Sequence, residues 1–195
     1  MNVLNKLNPL KRFFKHPSDR RSHRFIMVID CILNQNSRDL GAANYPSMNK
    51  EILRLCMQYD IGLFQIPCPE ITFLGFLRKR KPGQSIRDAL DTAAGRECCR
   101  NLSIDITLRI QDYINNNNKI LAILGGNPES PGCAIHSVSP NTGCESLAEN
   151  SGVFMKEFHK ALCKQKITIP FRGMRDCRPD WIKQDLKWLE NLFNQ

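Results

Sequence analysis

The stretch Arg24-Phe-Ile-Met-Val-Ile-Asp-Cys31 decides the fold. Its side chains are apolar almost without interruption, and a strand with one face in water would instead alternate. Such a run suits a strand covered on both faces, as in a parallel sheet. We therefore expect a buried strand here, with Cys31 at its carboxyl end.

Downstream, a polar loop (34–41) leads to Tyr45-Pro46-Ser47, and Met48, Ile52, Leu55, Cys56 and Tyr59 then recur at helical spacing. Ser47 is the expected N-cap of that helix, with Glu51 in its first turns. Leu63-Phe-Gln-Ile-Pro67 reads as a second strand, stopped at Cys68-Pro69-Glu70, because Pro69 donates no ladder hydrogen bond and holds Cys68 extended. Residues 71–84 read as irregular, and the run Arg78-Lys-Arg-Lys81 as a solvated loop that beside a pocket would attract an anion. Residues 85–115 read as one long helix or two abutting ones, ended by the asparagine run 115–118. Lys119 to Leu124 is a third strand, broken at Gly125-Gly126 and followed by a long loop, 127–150. A helix from Gly152 to Gln165, a strand from Ile167 to Phe171 and a helix from Pro179 to Phe193 complete the chain. The alternation βαβαβαβα predicts an α/β fold: an open, mostly parallel sheet with helices on both faces, Rossmann- or flavodoxin-like.

The chain has 195 residues, 42% of them hydrophobic and 24% charged, which suits a single domain with an ordinary core. No apolar run approaches the ~20 residues of a membrane span. The net charge is +9, but residues 1–24 carry seven Lys and Arg against Asp19 alone, a local +6. We read residues 1–24 as a basic arm and 25–195 as one α/β domain. A solvated tail accounts for such an arm, and weak contact with nucleic acid or anionic lipid is the functional alternative. The arm lacks the apolar core of a secretory signal, so a cytoplasmic protein is expected; a mitochondrial presequence is the weaker option.

Nine cysteines at irregular spacing, without a signal peptide, argue for a reduced chain rather than a disulfide framework. Ligands of open parallel sheets bind beyond the carboxyl ends of the strands. Cys31 and Cys68 are expected there, and Cys133 in the loop after the third strand. Three convergent thiolates suit zinc or an iron–sulfur cluster, and three ligands leave one position open. Cys56 and Cys163 fall on apolar helix faces and read as core residues. Cys98 and Cys99, adjacent on a helix, point in different directions. Cys144 and Cys177, in loops at the same sheet edge, remain candidates for an additional ligand. His136, three residues past Cys133, is a candidate second-layer or substrate-facing group.

Cys31-Ile-Leu with Arg38-Asp-Leu-Gly41, then Cys68-Pro-Glu70, then Ser130-Pro-Gly-Cys133 resemble, in order and in strand placement, the signature segments of the 2-thiouracil desulfurase (TudS) family over roughly residues 25–170. The resemblance implies a [4Fe-4S] cluster held by Cys31, Cys68 and Cys133, with one iron free of protein ligands. It implies non-redox removal of sulfur from a thiolated pyrimidine base or nucleoside, with the open iron as Lewis acid and water attacking the ring carbon. Glu70 would activate that water or orient the base, and Ser130 would hydrogen-bond the cluster or substrate; a turn role before Pro131 is the other reading of Ser130. The chain departs from the family pattern at Ala134, where glycine is usual, at Asn34-Gln-Asn36 and across residues 69–84. Alternatives are a zinc- or cluster-dependent hydrolase of another substrate, and a non-catalytic nucleotide- or RNA-binding module. Gly125-Gly126 lacks a full phosphate-binding fingerprint for the latter.

Overall fold

A computed structural model of the chain describes residues 19–136 and 147–195. Four strands form one sheet in the order β2-β1-β3-β4: β1 (Arg24–Ile29), β2 (Gly62–Ile66), β3 (Lys119–Gly125) and β4 (Phe171–Gly173). All pairings are parallel. The α/β fold with a parallel sheet is therefore as expected. Its register places Ile29 beside Ile66 and Ile123 beside Phe171. The five residues Phe25 to Ile29 are buried, as their continuous apolar character requires of a strand between two neighbours. β2 is an edge strand, and its Leu63 and Gln65 are exposed accordingly.

Helices α2 (Lys50–Gln58) and α7 (Pro179–Phe193) pack together, and so do α5 (Ala93–Asn115) and α6 (Val153–Lys164). These pairs leave Ile26, Met27, Ile123, Leu124, Phe154 and Phe158 without solvent contact. Of the two readings of residues 85–115, two helices is the one found, α4 (Ile86–Leu90) and α5, each capped by a side chain, Ser85 and Thr92. Among the described residues no helix is long and apolar enough to cross a membrane.

Several expectations need correction. β1 stops at Ile29, and Cys31 lies instead in a one-turn helix, α1 (Asp30–Leu33). α2 starts later than its apolar repeat implies, because Asn49, fully buried, rather than Ser47, accepts the Ile52 amide. Residues 71–74, expected to be irregular, belong to α3 (Pro69–Leu74), which starts at the proline read as a strand stop; proline is favourable in a first turn, having no amide to satisfy. The fourth strand is Phe171–Gly173, not Ile167–Phe171. Arg24 opens β1, as the expected strand had it, and its guanidinium donates to the Phe193 carbonyl at 2.6 Å. Cys163, expected as a reduced core thiol, is disulfide-bonded.

Candidate cysteine site at the carboxyl edge of the sheet

Three connections carry the expected cysteines to one place. After β1 the chain turns into α1, and Gln35, almost fully buried, holds that turn: its Nε2 donates to the Cys31 carbonyl at 2.6 Å while its Oε1 accepts from the Asn44 amide at 3.0 Å. After β2, Cys68 is the N-cap of α3, and its carbonyl accepts from the amide and hydroxyl of Thr72. After β3, the turn 130–133 is held by the start of α6, which has no side-chain cap. Two amides there find carbonyl partners instead, Val153 on Pro131 at 3.0 Å and Met155 on Gly132 at 3.3 Å. This close approach requires glycine at 152, where a Cβ would lie 2.3 Å from the Gly132 carbonyl; Gly132 in turn sits against α3, where a Cβ would lie 2.7 Å from Pro69. The Ser130 hydroxyl accepts from the Cys133 amide at 3.1 Å, so its turn role is present, and its own proton is left to donate.

Cys31, Cys68 and Cys133 line one cavity of about 510 Å³, together with Glu70, Ser130, Arg38 and Arg78. Burial pushes the Cys31 thiol up to about 11, with the positive charge of the Arg38 guanidinium acting the other way. Burial likewise raises Cys68, opposed by the amides of Ile71 and Glu70 and by Arg78. Cys133 is raised well above the ordinary thiol value, first by burial and then by the negative charges of Cys68, Glu70 and Cys31. Three thiols are thus close enough to feel one another, and each favours its proton until a cation compensates.

Two arginines face the sulfurs. Arg78 Nη2 lies 3.9 Å from the Cys68 sulfur, and its Nε donates to Glu70 Oε2 at 3.3 Å. It also donates to the Ser37 carbonyl. Arg78 is therefore buried, contrary to the solvated-loop reading of its run, which holds for Lys79, Arg80 and Lys81. Arg38 is held by Asp176, whose side chain is 0% exposed, through bonds of 2.9 and 2.7 Å. Asn44 and Asn127 also donate to Asp176, at 3.0 and 2.8 Å. Asp176 joins three loops in this way. Nothing in its local sequence marks it, because its partners are distant along the chain.

Of the other candidates, Cys177 is exposed and lines the cavity, whereas Cys144 lies outside the described residues. Cys56 and Cys99 are buried core thiols, and Cys98 beside Cys99 is half-buried. His136 is not among the cavity-lining residues; its ring meets the Pro128 carbonyl at 2.9 Å and its amide meets the Ser151 hydroxyl. These bonds tie His136, itself outside the cavity lining, to Pro128 and Ser151.

Among the described residues, no three His, Cys, Asp or Glu side chains are gathered so as to hold a metal ion. A single zinc draws its ligands to one point with Zn–S of about 2.3 Å. The ligands of a cluster each take a different iron, so they stand farther apart around a larger body. Three thiols lining one cavity are donors of the type that either centre takes. Over 149 residues the chain is 29% identical to an uncharacterized protein of Methanocaldococcus jannaschii, covering 76% of this chain and 84% of that protein. No family model and no solved structure matches the chain.

Proposed function

We propose that the chain is a [4Fe-4S]-dependent desulfurase acting on a thiolated pyrimidine base or nucleoside. The single observation that carries this reading is the meeting of Cys31, Cys68 and Cys133 in one cavity beside two arginines. The three cysteines would hold the cluster. When bound, it supplies a Lewis-acidic iron free of protein ligand, suited to polarising a thiocarbonyl. In this reading Arg38 and Arg78, held in place by Asp176 and Glu70, stand beside the negative charge that the three thiolates would bring. Arg78 engages Oε2 of Glu70, while Oε1 makes no hydrogen bond among the described residues, so Glu70 keeps an acceptor for a water. In this reading Glu70 orients that water and takes its proton, and the Ser130 hydroxyl donates to the leaving sulfur or the ring. The balance is hydrolytic: a thiocarbonyl and water give a carbonyl and sulfide, without external electrons.

The test is anaerobic reconstitution with iron and sulfide, followed by iron and sulfide analysis and by sulfide release from 2-thiouracil, thiouridine and their 4-thio isomers. The expected result is four irons per chain and sulfide release, both lost in Cys31→Ala, Cys68→Ala and Cys133→Ala. A colourless protein with stoichiometric zinc overturns the reading, as does loss of the cluster from Cys177→Ala instead.

A further inference from the structure

Trp181 is the one aromatic side chain among the described residues lining the cavity. It stands in the first turn of α7, half-buried. Trp188 on the same helix packs against the hydrophobic core, whereas Trp181 is not among the half-buried residues that do so. Its large apolar face is therefore spent on the cavity wall rather than on the core. Two guanidinium groups lie over its ring, Arg178 at 4.7 Å and Arg175 at 5.4 Å from the centroid.

Those two arginines differ in how they are held. Arg175 is tied to Asp185 through Nε at 3.0 Å and Nη2 at 2.7 Å, a carboxylate with no exposed surface. Arg178 is exposed, lines the cavity and makes no ion pair among the described residues. The other two cavity arginines are committed, Arg38 to Asp176 and Arg78 to Glu70. The cavity lining thus includes an indole that meets one fixed cation, Arg175, and one without an ion pair among the described residues, Arg178. An indole and a guanidinium are both planar and polarisable, and each stacks on a heterocycle whatever its substituents.

We infer that Trp181 and Arg178 form a ring-binding wall: a planar heterocycle stacks on the indole, and the Arg178 side chain moves to form the second plane. This rests on the proposed function for the identity of the ring, and assigns Trp181 as the residue that positions it. Exposed carboxylates of Asp39 and Glu129 also line the cavity, so the wall selects by planarity rather than by net charge.

The experiment is calorimetric titration of the full reconstituted chain with 2-thiouracil, with uracil, and with 5,6-dihydrouracil, which keeps the polar edge of uracil but loses its planarity. Stacking on one aromatic ring predicts that Trp181→Ala weakens 2-thiouracil and uracil by about 5- to 150-fold. Trp181→Phe should stay within about fivefold of the parent, and Arg178→Gln should weaken both rings by about two- to fivefold. Dihydrouracil should bind the parent weakly and be indifferent to Trp181→Ala. In turnover, Trp181→Ala should raise KM and leave kcat. The inference is overturned if Trp181→Ala binds uracil as the parent does, if dihydrouracil loses affinity in parallel, or if neither ring binds the parent. Equal losses in Trp181→Phe and Trp181→Ala also overturn it, since a merely structural indole behaves so. Trp181-dependent uracil binding by a chain that takes up no cluster removes the proposed function and keeps the wall. Sulfide release that is indifferent to Trp181 does the reverse.

Discussion

Replacing Asp176 by Asn keeps its shape and removes its charge. The parent carboxylate is fully buried and accepts from Arg38 twice and from Asn44 and Asn127 once each. In Asp176→Asn one of the two acceptor oxygens becomes a donor facing donors, and Arg38, whose side chain is 9% exposed, loses its counter-charge. Removing one partner of a buried pair costs about 3–5 kcal/mol, because the remaining charge stays desolvated. For a domain of this size each kcal/mol lowers Tm by roughly 2–4 °C, so the expected fall is roughly 6–20 °C. Arg38→Met alone should cost about as much by stranding Asp176. The double variant should recover part of the loss, since neither charge is then stranded. Thermal and denaturant unfolding of the four proteins at neutral pH measure this directly. Iron retained after reconstitution should fall alongside, because Arg38 no longer has a fixed position at the Cys31 sulfur. A loss under about 1 kcal/mol in Asp176→Asn, or a double variant as unstable as the two losses added, refutes the reasoning.

The basic run should split in two by burial. Arg78→Met strands Glu70 and is expected to cost about 3–5 kcal/mol, whereas Lys79→Ala and Arg80→Ala should stay within about 0.5 kcal/mol; equal effects across the run would restore the solvated-loop reading. Alkaline pH should destabilise the protein in part through Cys56, whose thiol burial pushes up from 9.0 to about 12. The folded value lies above the unfolded one, so this stability is whole below pH 9.0 and is lost as pH rises toward about 12. Denaturant midpoints across that window should decline less steeply in Cys56→Ala; parallel curves would exclude the cysteine as a source.

What the chain determines by itself is local. The unbroken apolar run of β1 demands cover on both faces, and the alternation of strands with helical periods demands a parallel sheet. Together they put Cys31, Cys68 and Cys133 at its carboxyl edge. The closing helix, Pro179–Phe193, is legible residue for residue because its proline start and its apolar spacing are both local signals. Even there, the residue-level placement of Cys31 depended on where β1 gives way to α1. α3 escaped because a six-residue helix offers too little periodicity to read. The rest belongs to the tertiary structure. A charge run looks solvated until its first arginine meets a buried carboxylate, and Arg78 is such a case. Asp176 and Trp181 look ordinary in their own segments. Asp176 bonds to Arg38 at a separation of 138 residues, and Trp181 reaches the cavity only because α7 follows β4 at the sheet's edge. Hydrophobic periodicity reports which face of an element is covered. Which polar group meets which is set by the packing of distant loops, and only the folded chain decides it.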